Sequence, residues 1–140
     1  MERLSFTPNE DGVSLRQAKV IVAGGKGVGG RRGFEKLAEL ARLLGGAVGA
    51  SRAAVDAGFI GYAHQVGQTG VTVRPELYLA FGISGLAQHI VGMNGAKTVI
   101  AVNTDRNAPI FSCADYGIAA GWEETADVMI RYLKERKGSS

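Results

Sequence analysis

Ala18-Lys-Val-Ile-Val-Ala23 runs directly into Gly24-Gly-Lys-Gly-Val-Gly-Gly30. A short apolar, β-branched run bounded by glycine reads as a buried strand, and the glycines after it as a tight turn into the next element. Phe34, Leu37, Leu40, Ala41 and Leu44 then recur at helical spacing, which predicts an amphipathic helix over 34–44 that Gly45-Gly46 ends. Strand, glycine loop and helix in that order open an α/β unit.

Outward from this unit the theme repeats. Ala47 to Ser51 reads as a second strand and 52–57 as a brief helix stopped by Gly58. Residues 59–73 read as a loop, with Gly61, Gly67 and Gly70 around Gln68-Thr69. Leu77-Tyr-Leu-Ala-Phe81 is a third strand, 85–91 a helix, Thr98 to Asn103 a fourth strand and Tyr116 to Ala120 the last. A C-terminal helix is expected over 123–137, with Val128, Met129, Tyr132 and Leu133 facing inward. Residues 1–17 read as an irregular lead-in and 138–140 as a tail, which leaves one domain over 18–137. Continuously apolar strands that alternate with helices predict a parallel sheet covered on both faces, an α/β fold. Ligands in such sheets bind beyond the carboxyl ends of the strands, where every glycine-rich or polar cluster of this chain falls.

Composition narrows the function classes. The basic residues are scattered apart from Arg31-Arg32 and the last helix, where Glu135 interrupts Arg131, Lys134, Arg136 and Lys137. Aromatic residues are 7% of the chain and Tyr132 alone falls among these basic residues, which argues against a nucleic-acid surface. No apolar run reaches the roughly 20 residues of a membrane span. Cys113 is the single cysteine, so no internal disulfide forms, as suits a reducing compartment. His64, His89 and Cys113 lack metal-ligand spacing. The 21 glycines, against 3 prolines and without repeats, point to tight turns and close backbone approaches.

Gly25-Lys-Gly-Val-Gly-Gly30 fits G-x-G-x-x-G between a strand and a helix, so its amides can cradle a phosphate; a purely structural turn is the other reading. A nicotinamide fold then wants an acid at the end of the second strand, to hold a ribose hydroxyl; Ser51-Arg52 stands there instead. Arg52 is read either as a ligand cation or as half of a local pair with Asp56. Phe81-Gly-Ile-Ser-Gly-Leu-Ala-Gln-His89 is a second strand–loop–helix junction, with Ser84 as its candidate N-cap; Leu86 breaks the pattern of a nucleophile elbow. His89 is read as a ligand contact or as a satisfied structural residue, and Gln65 to Gly70 as a binding loop or a plain surface loop. From the residues alone this is a nucleotide or dinucleotide binder of α/β class.

Five blocks together resemble the electron transfer flavoprotein alpha subunit: 48–58 (V-G-A-S-R-A-A-V-D-A-G), 65–70 (Q-V-G-Q-T-G), 75–85 (P-E-L-Y-L-A-F-G-I-S-G), 88–89 (Q-H) and 108–118 (A-P-I-F-S-C-A-D-Y-G-I). Order and spacing match over roughly 18–137, without the family's usual N-terminal domain. The resemblance implies a Rossmann-like, three-layer nucleotide-binding domain that holds FAD and carries electrons without turning over a substrate. It implies a beta-subunit partner, flavoprotein dehydrogenases as donors, a quinone oxidoreductase as acceptor, and the bacterial cytoplasm or mitochondrial matrix. By motif, Arg52 lies over the isoalloxazine, and Ser51, Gln68, Thr69 and His89 contact its edge, with Val66 and Gly67 in the same loop. Ser84, Gly85, Leu86, Ala87 and Gln88 face the phosphate and ribityl region, and Asn103 the nucleotide half. Lys26 takes the place of an arginine usual in the first glycine loop, and Gly121 that of a usual aspartate. A nicotinamide- or nucleotide-binding domain of a related enzyme is the alternative, and an interaction domain without a cofactor a third reading.

Overall fold

The computed structural model describes residues 14–138. Most of the lead-in, 1–13, and the last two residues lie outside the described residues. Of the rest of the lead-in, 14–17 form a turn, and Leu15 is buried in the core rather than left outside the domain.

Five strands, β1 (Val20–Gly24), β2 (Ala47–Ala50), β3 (Leu77–Phe81), β4 (Thr98–Val102) and β5 (Tyr116–Ile118), form one sheet in the order β2-β1-β3-β4-β5. Every pairing is parallel. Side chains alternate across the sheet, and the two faces carry separate cores. Ile21, Ala23, Tyr78, Ala80 and Ala101 point to one face, where Leu15, Val66, Ile83, Met93 and Ile110 cover them. Val22, Leu79, Phe81 and Val102 point to the other, under α1 (Arg31–Leu44) and α4 (Trp122–Gly138). The short helices α2 (Arg52–Asp56) and α3 (Ala87–Met93) follow β2 and β3, and α3 covers the first face. The expected three-layer α/β architecture is present.

The sheet runs outward from β1 in both directions. Because β1 pairs with β2 on one side and β3 on the other, the chain reverses its order between β1 and β3. Crevices open at the carboxyl ends of strands where that reversal occurs.

Several elements differ from the expectations. Helix α1 starts at Arg31, because Gly30 rather than the following residues breaks the chain. Its Phe34, Leu37, Leu40 and Ala41 are buried as the spacing requires. On α4 the inward residues are Trp122, Ala126, Met129, Ile130 and Leu133, whereas Val128 and Tyr132 are 59% and 57% exposed. The inward stripe follows the 3.6-residue period from Trp122, one position away from the stripe expected. β5 ends at Ile118 and its Tyr116 and Gly117 are exposed, since an edge strand is not covered on both sides. The 59–73 segment holds a 3-10 turn at Tyr62–His64 and two isolated bridges, Ala50 with Gln65 and Val66 with Val71.

Candidate functional site

A cavity of about 540 Å³ opens at the carboxyl ends of β1 to β4, over the reversal point. Lys26 and Gly27 line it from the end of β1, Ser51 and Arg52 from the end of β2, Gly82 to Leu86 from the end of β3, and Asn103 from the end of β4. Val66, Gly67, Gln68 and Thr69 close it from the long loop, and Gln88 and His89 from α3. Of the residues expected to contact the cofactor, Ala87, the first residue of α3, is the one not on the wall. Gly121 also lies off it, at the start of α4 beside Glu124.

Backbone proximity builds the floor. The Gly25 N–H donates to the Phe81 carbonyl at 2.9 Å and the Gly27 N–H to the Gly82 carbonyl at 3.1 Å, so the first glycine loop is stitched to the second. A Cβ on Gly25 would stand 2.4 Å from the Gly82 oxygen, so no side chain fits between them. Gly85 turns the chain at φ +90, a left-handed conformation that favours glycine, and the Ser84 carbonyl accepts from the Ile110 N–H at 2.8 Å. Ser84 is therefore not the N-cap of α3. Leu86 holds that position, without a side-chain hydrogen bond.

The long loop is pinned rather than loose. The Val66 N–H donates to the Ala50 carbonyl at 2.9 Å and the Gln68 N–H to the Gln88 carbonyl at 2.8 Å. A Cβ on Gly92 would fall 2.3 Å from the Gly67 nitrogen, so the glycine in α3 is what lets loop and helix meet. Buried Gln65 donates through Nε2 to Thr69 Oγ1 at 2.7 Å. A hydroxyl that accepts there keeps its own proton to donate. The Tyr62 hydroxyl donates to the Thr69 carbonyl. His64, buried behind the loop, contacts the Val48 carbonyl through Nδ1 at 2.9 Å.

The polar wall has distinct electrostatics. Ser51 caps α2 by accepting from the Ala54 N–H at 3.3 Å. Arg52 places Nε 3.3 Å from Asp56 Oδ2, with both side chains about two-thirds exposed, and both residues line the cavity. The local pair considered from the sequence thus exists, but an exposed pair of this kind contributes only about 0.3–0.5 kcal/mol and yields readily to a better partner. The Asn103 amide bridges two loops: Nδ2 donates to the Ile83 carbonyl at 3.0 Å and Oδ1 accepts from the Asp105 N–H at 2.8 Å. One N–H and one lone pair remain. Asp105 also lines the cavity and went unmarked in the sequence, and Gln65, marked only as the start of the candidate loop, lines it too. The turn after Asn103 was the available signal for Asp105; burial of Gln65 beside Thr69 has none.

Burial pushes the His89 pKa down to about 4, opposed by the Val66 carbonyl beside the ring, and burial lowers that of His64 too. The unfolded chain takes up these protons near pH 6.5, and the folded chain only at lower pH. Stability is therefore complete above pH 6.5 and falls as the pH drops from there towards 4. We expect His89 alone to remove about 2 kcal/mol between pH 7.5 and pH 5. Urea unfolding of the wild type and His89→Gln checks this: the variant should lose clearly less over that interval, and equal losses contradict it.

Among the described residues no three His, Cys, Asp or Glu side chains are grouped to hold a metal, and no helix is long and apolar enough to cross a membrane. A parallel sheet with a glycine-walled cleft at its order reversal defines the nucleotide-cofactor-binding class of α/β domains. Within that class the chain belongs to the electron transfer flavoprotein FAD-binding domain family, whose model matches residues 14–94. It is 54% identical over 125 residues to the electron transfer flavoprotein subunit alpha of Thermoanaerobacterium thermosaccharolyticum and 51% identical over 125 residues to that of Bacillus subtilis. Each match covers 89% of this chain and 38% of the relative. The mitochondrial subunit alpha of Oryza sativa subsp. japonica is 52% identical over 123 residues, 88% of this chain and 34% of the relative. The chain thus spans under two-fifths of the length of these relatives.

FAD is the cofactor of this family, and the site's own features fit it. The walls draw on four strand ends, as an extended dinucleotide requires. Close-set glycine backbones offer amides to a pyrophosphate, and Lys26 and Arg52 supply the positive charge. Nδ1 of His89 is buried with no hydrogen bond of normal geometry, a polar group that a ligand can satisfy.

Proposed function

We propose that this domain carries electrons through FAD held in the cleft, as the cofactor-binding part of an electron transfer flavoprotein alpha subunit. When bound, the flavin takes up and releases the electrons, and the protein supplies position and electrostatics. The observation that carries the reading is Arg52 on the cavity wall directly after β2, where a nicotinamide fold places an acid. Arg52 lies against the ring system, and Ser51, Gln68, Thr69 and His89 meet its edge. Val66 and Gly67 hold the loop in place. Lys26 and Ser84 to Gln88 face the phosphates and ribityl chain, and Asn103 the nucleotide half. Ala87 contributes through the start of α3 rather than through a wall contact. A beta subunit completes the protein, flavoprotein dehydrogenases reduce it, and a quinone oxidoreductase withdraws the electrons, in the bacterial cytoplasm or mitochondrial matrix.

Calorimetric titration of the chain with FAD, FMN and NAD tests this. A cleft built from several strand ends should bind FAD at least tenfold tighter than FMN, which is about 1.4 kcal/mol. Equal affinities would remove the dinucleotide claim, and tighter binding of NAD would install the nicotinamide alternative.

A further inference from the structure

β3 carries one polar side chain into the core. Tyr78 is fully buried, and its hydroxyl lies 2.8 Å from Nε2 of His89. The ring centroids are 6.0 Å apart and tilted by 51°, so the hydroxyl–nitrogen contact defines the pair. His89 is itself 6% exposed, and its Nδ1 has no hydrogen-bond partner.

Accounting for buried polar groups decides which way the bond points. If Nε2–H donated to the tyrosine oxygen, the tyrosine proton would be stranded in the core and Nδ1 would be a bare acceptor, leaving two buried functions unmet. If the tyrosine O–H donates to Nε2, both of those atoms are satisfied and only the Nδ1–H remains. Burial holds Tyr78 in its protonated form, so it has a proton to donate.

We infer that Tyr78 is a positioning residue of the cofactor site: its hydroxyl donates to Nε2 of His89 and fixes the ring as the Nδ1–H tautomer before any ligand arrives. The inference rests on the reading of the cleft as a flavin site, which makes His89 a contact with the ring system. A histidine whose donor nitrogen is set in advance does not reorganise when negative charge develops on the ligand. The strand–helix junction supplies the geometry, since Tyr78 and His89 stand on the two elements that flank the 82–86 loop.

The test reads the tautomer directly. Long-range proton–nitrogen correlation spectra of the labelled chain at pH 7.5 contain only two histidines, and His64→Gln assigns them. Wild-type His89 should show a protonated Nδ1 and a bare Nε2. Tyr78→Phe removes one oxygen without changing the shape of the buried ring. It should keep the native circular dichroism, lose the single tautomer and lower the potential of added FAD. A wild-type ring protonated on Nε2 overturns the inference. So does a Tyr78→Phe chain with an unchanged tautomer and potential. The spectra need no cofactor, so a failure to bind FAD counts against the functional reading and leaves the tautomer result standing.

Discussion

Gly25→Ala should cost about 1–3 kcal/mol of stability, the range for inserting a methyl where there is no room, and should weaken FAD binding at least tenfold. The residue is in extended conformation at φ −111, so the cost is steric and not conformational. Its new Cβ would stand 2.4 Å from the Gly82 oxygen and 2.8 Å from Ile83 Cα, both backbone atoms that cannot rotate away. The two glycine loops must separate, which breaks the Gly27 N–H to Gly82 carbonyl bond and spreads the cavity floor. Gly61→Ala is the control: its φ of −77 suits any residue and nothing lies within 4 Å of the added carbon. That variant should match the wild type within about 0.5 kcal/mol. Urea unfolding and FAD calorimetry on both variants decide the matter. A Gly25→Ala chain as stable and as tight-binding as Gly61→Ala would show that the close approach does not shape the site.

Much of this was legible in the sequence, for physical reasons that also explain the failures. A buried parallel strand must be apolar on both faces, so β1, β3 and β4 stand out as runs. Helix α1 announces itself because Phe34, Leu37, Leu40 and Ala41 all pack on one face of the sheet. Helix α4 was legible too, with Met129 and Leu133 inward as expected, but its covered face was partly misjudged: Val128 and Tyr132 are apolar yet face outward, and apolarity alone cannot tell a covered position from an exposed one. The start of α3 was misplaced because Ser84 has the chemistry of a cap, while its carbonyl is taken by Ile110, a residue 26 positions further on. Long-range contacts of that kind leave no local trace. The same holds behind the cavity wall. Gln65 holding Thr69, and Tyr78 holding His89, are partnerships that only the folded chain reveals. The wall itself was easier to find, since it is built where polar residues follow apolar strands.

The central claim is that Arg52 tunes a bound flavin. Its guanidinium is a permanent cation with a flat face, and its present partner Asp56 is a weak, exposed one. Closing a cofactor against it dries the cleft, where a charge acts more strongly than in water. A cation near the ring system favours the reduced, more negative state and raises the potential. Each 1.4 kcal/mol of that preference is worth about 59 mV for a one-electron couple, so Arg52→Ala should lower the potential by on the order of 60 mV or more. Arg52→Lys should recover only part, because it keeps the charge and loses the planar surface. All three chains should fold alike, since truncating an exposed helix pair alters stability by only about 0.3–0.5 kcal/mol. The deciding measurement is a spectroelectrochemical titration of wild type, Arg52→Ala and Arg52→Lys, each loaded with FAD. Potentials that fall in the order wild type, Arg52→Lys, Arg52→Ala are the expected result; one shared potential for all three would contradict the account.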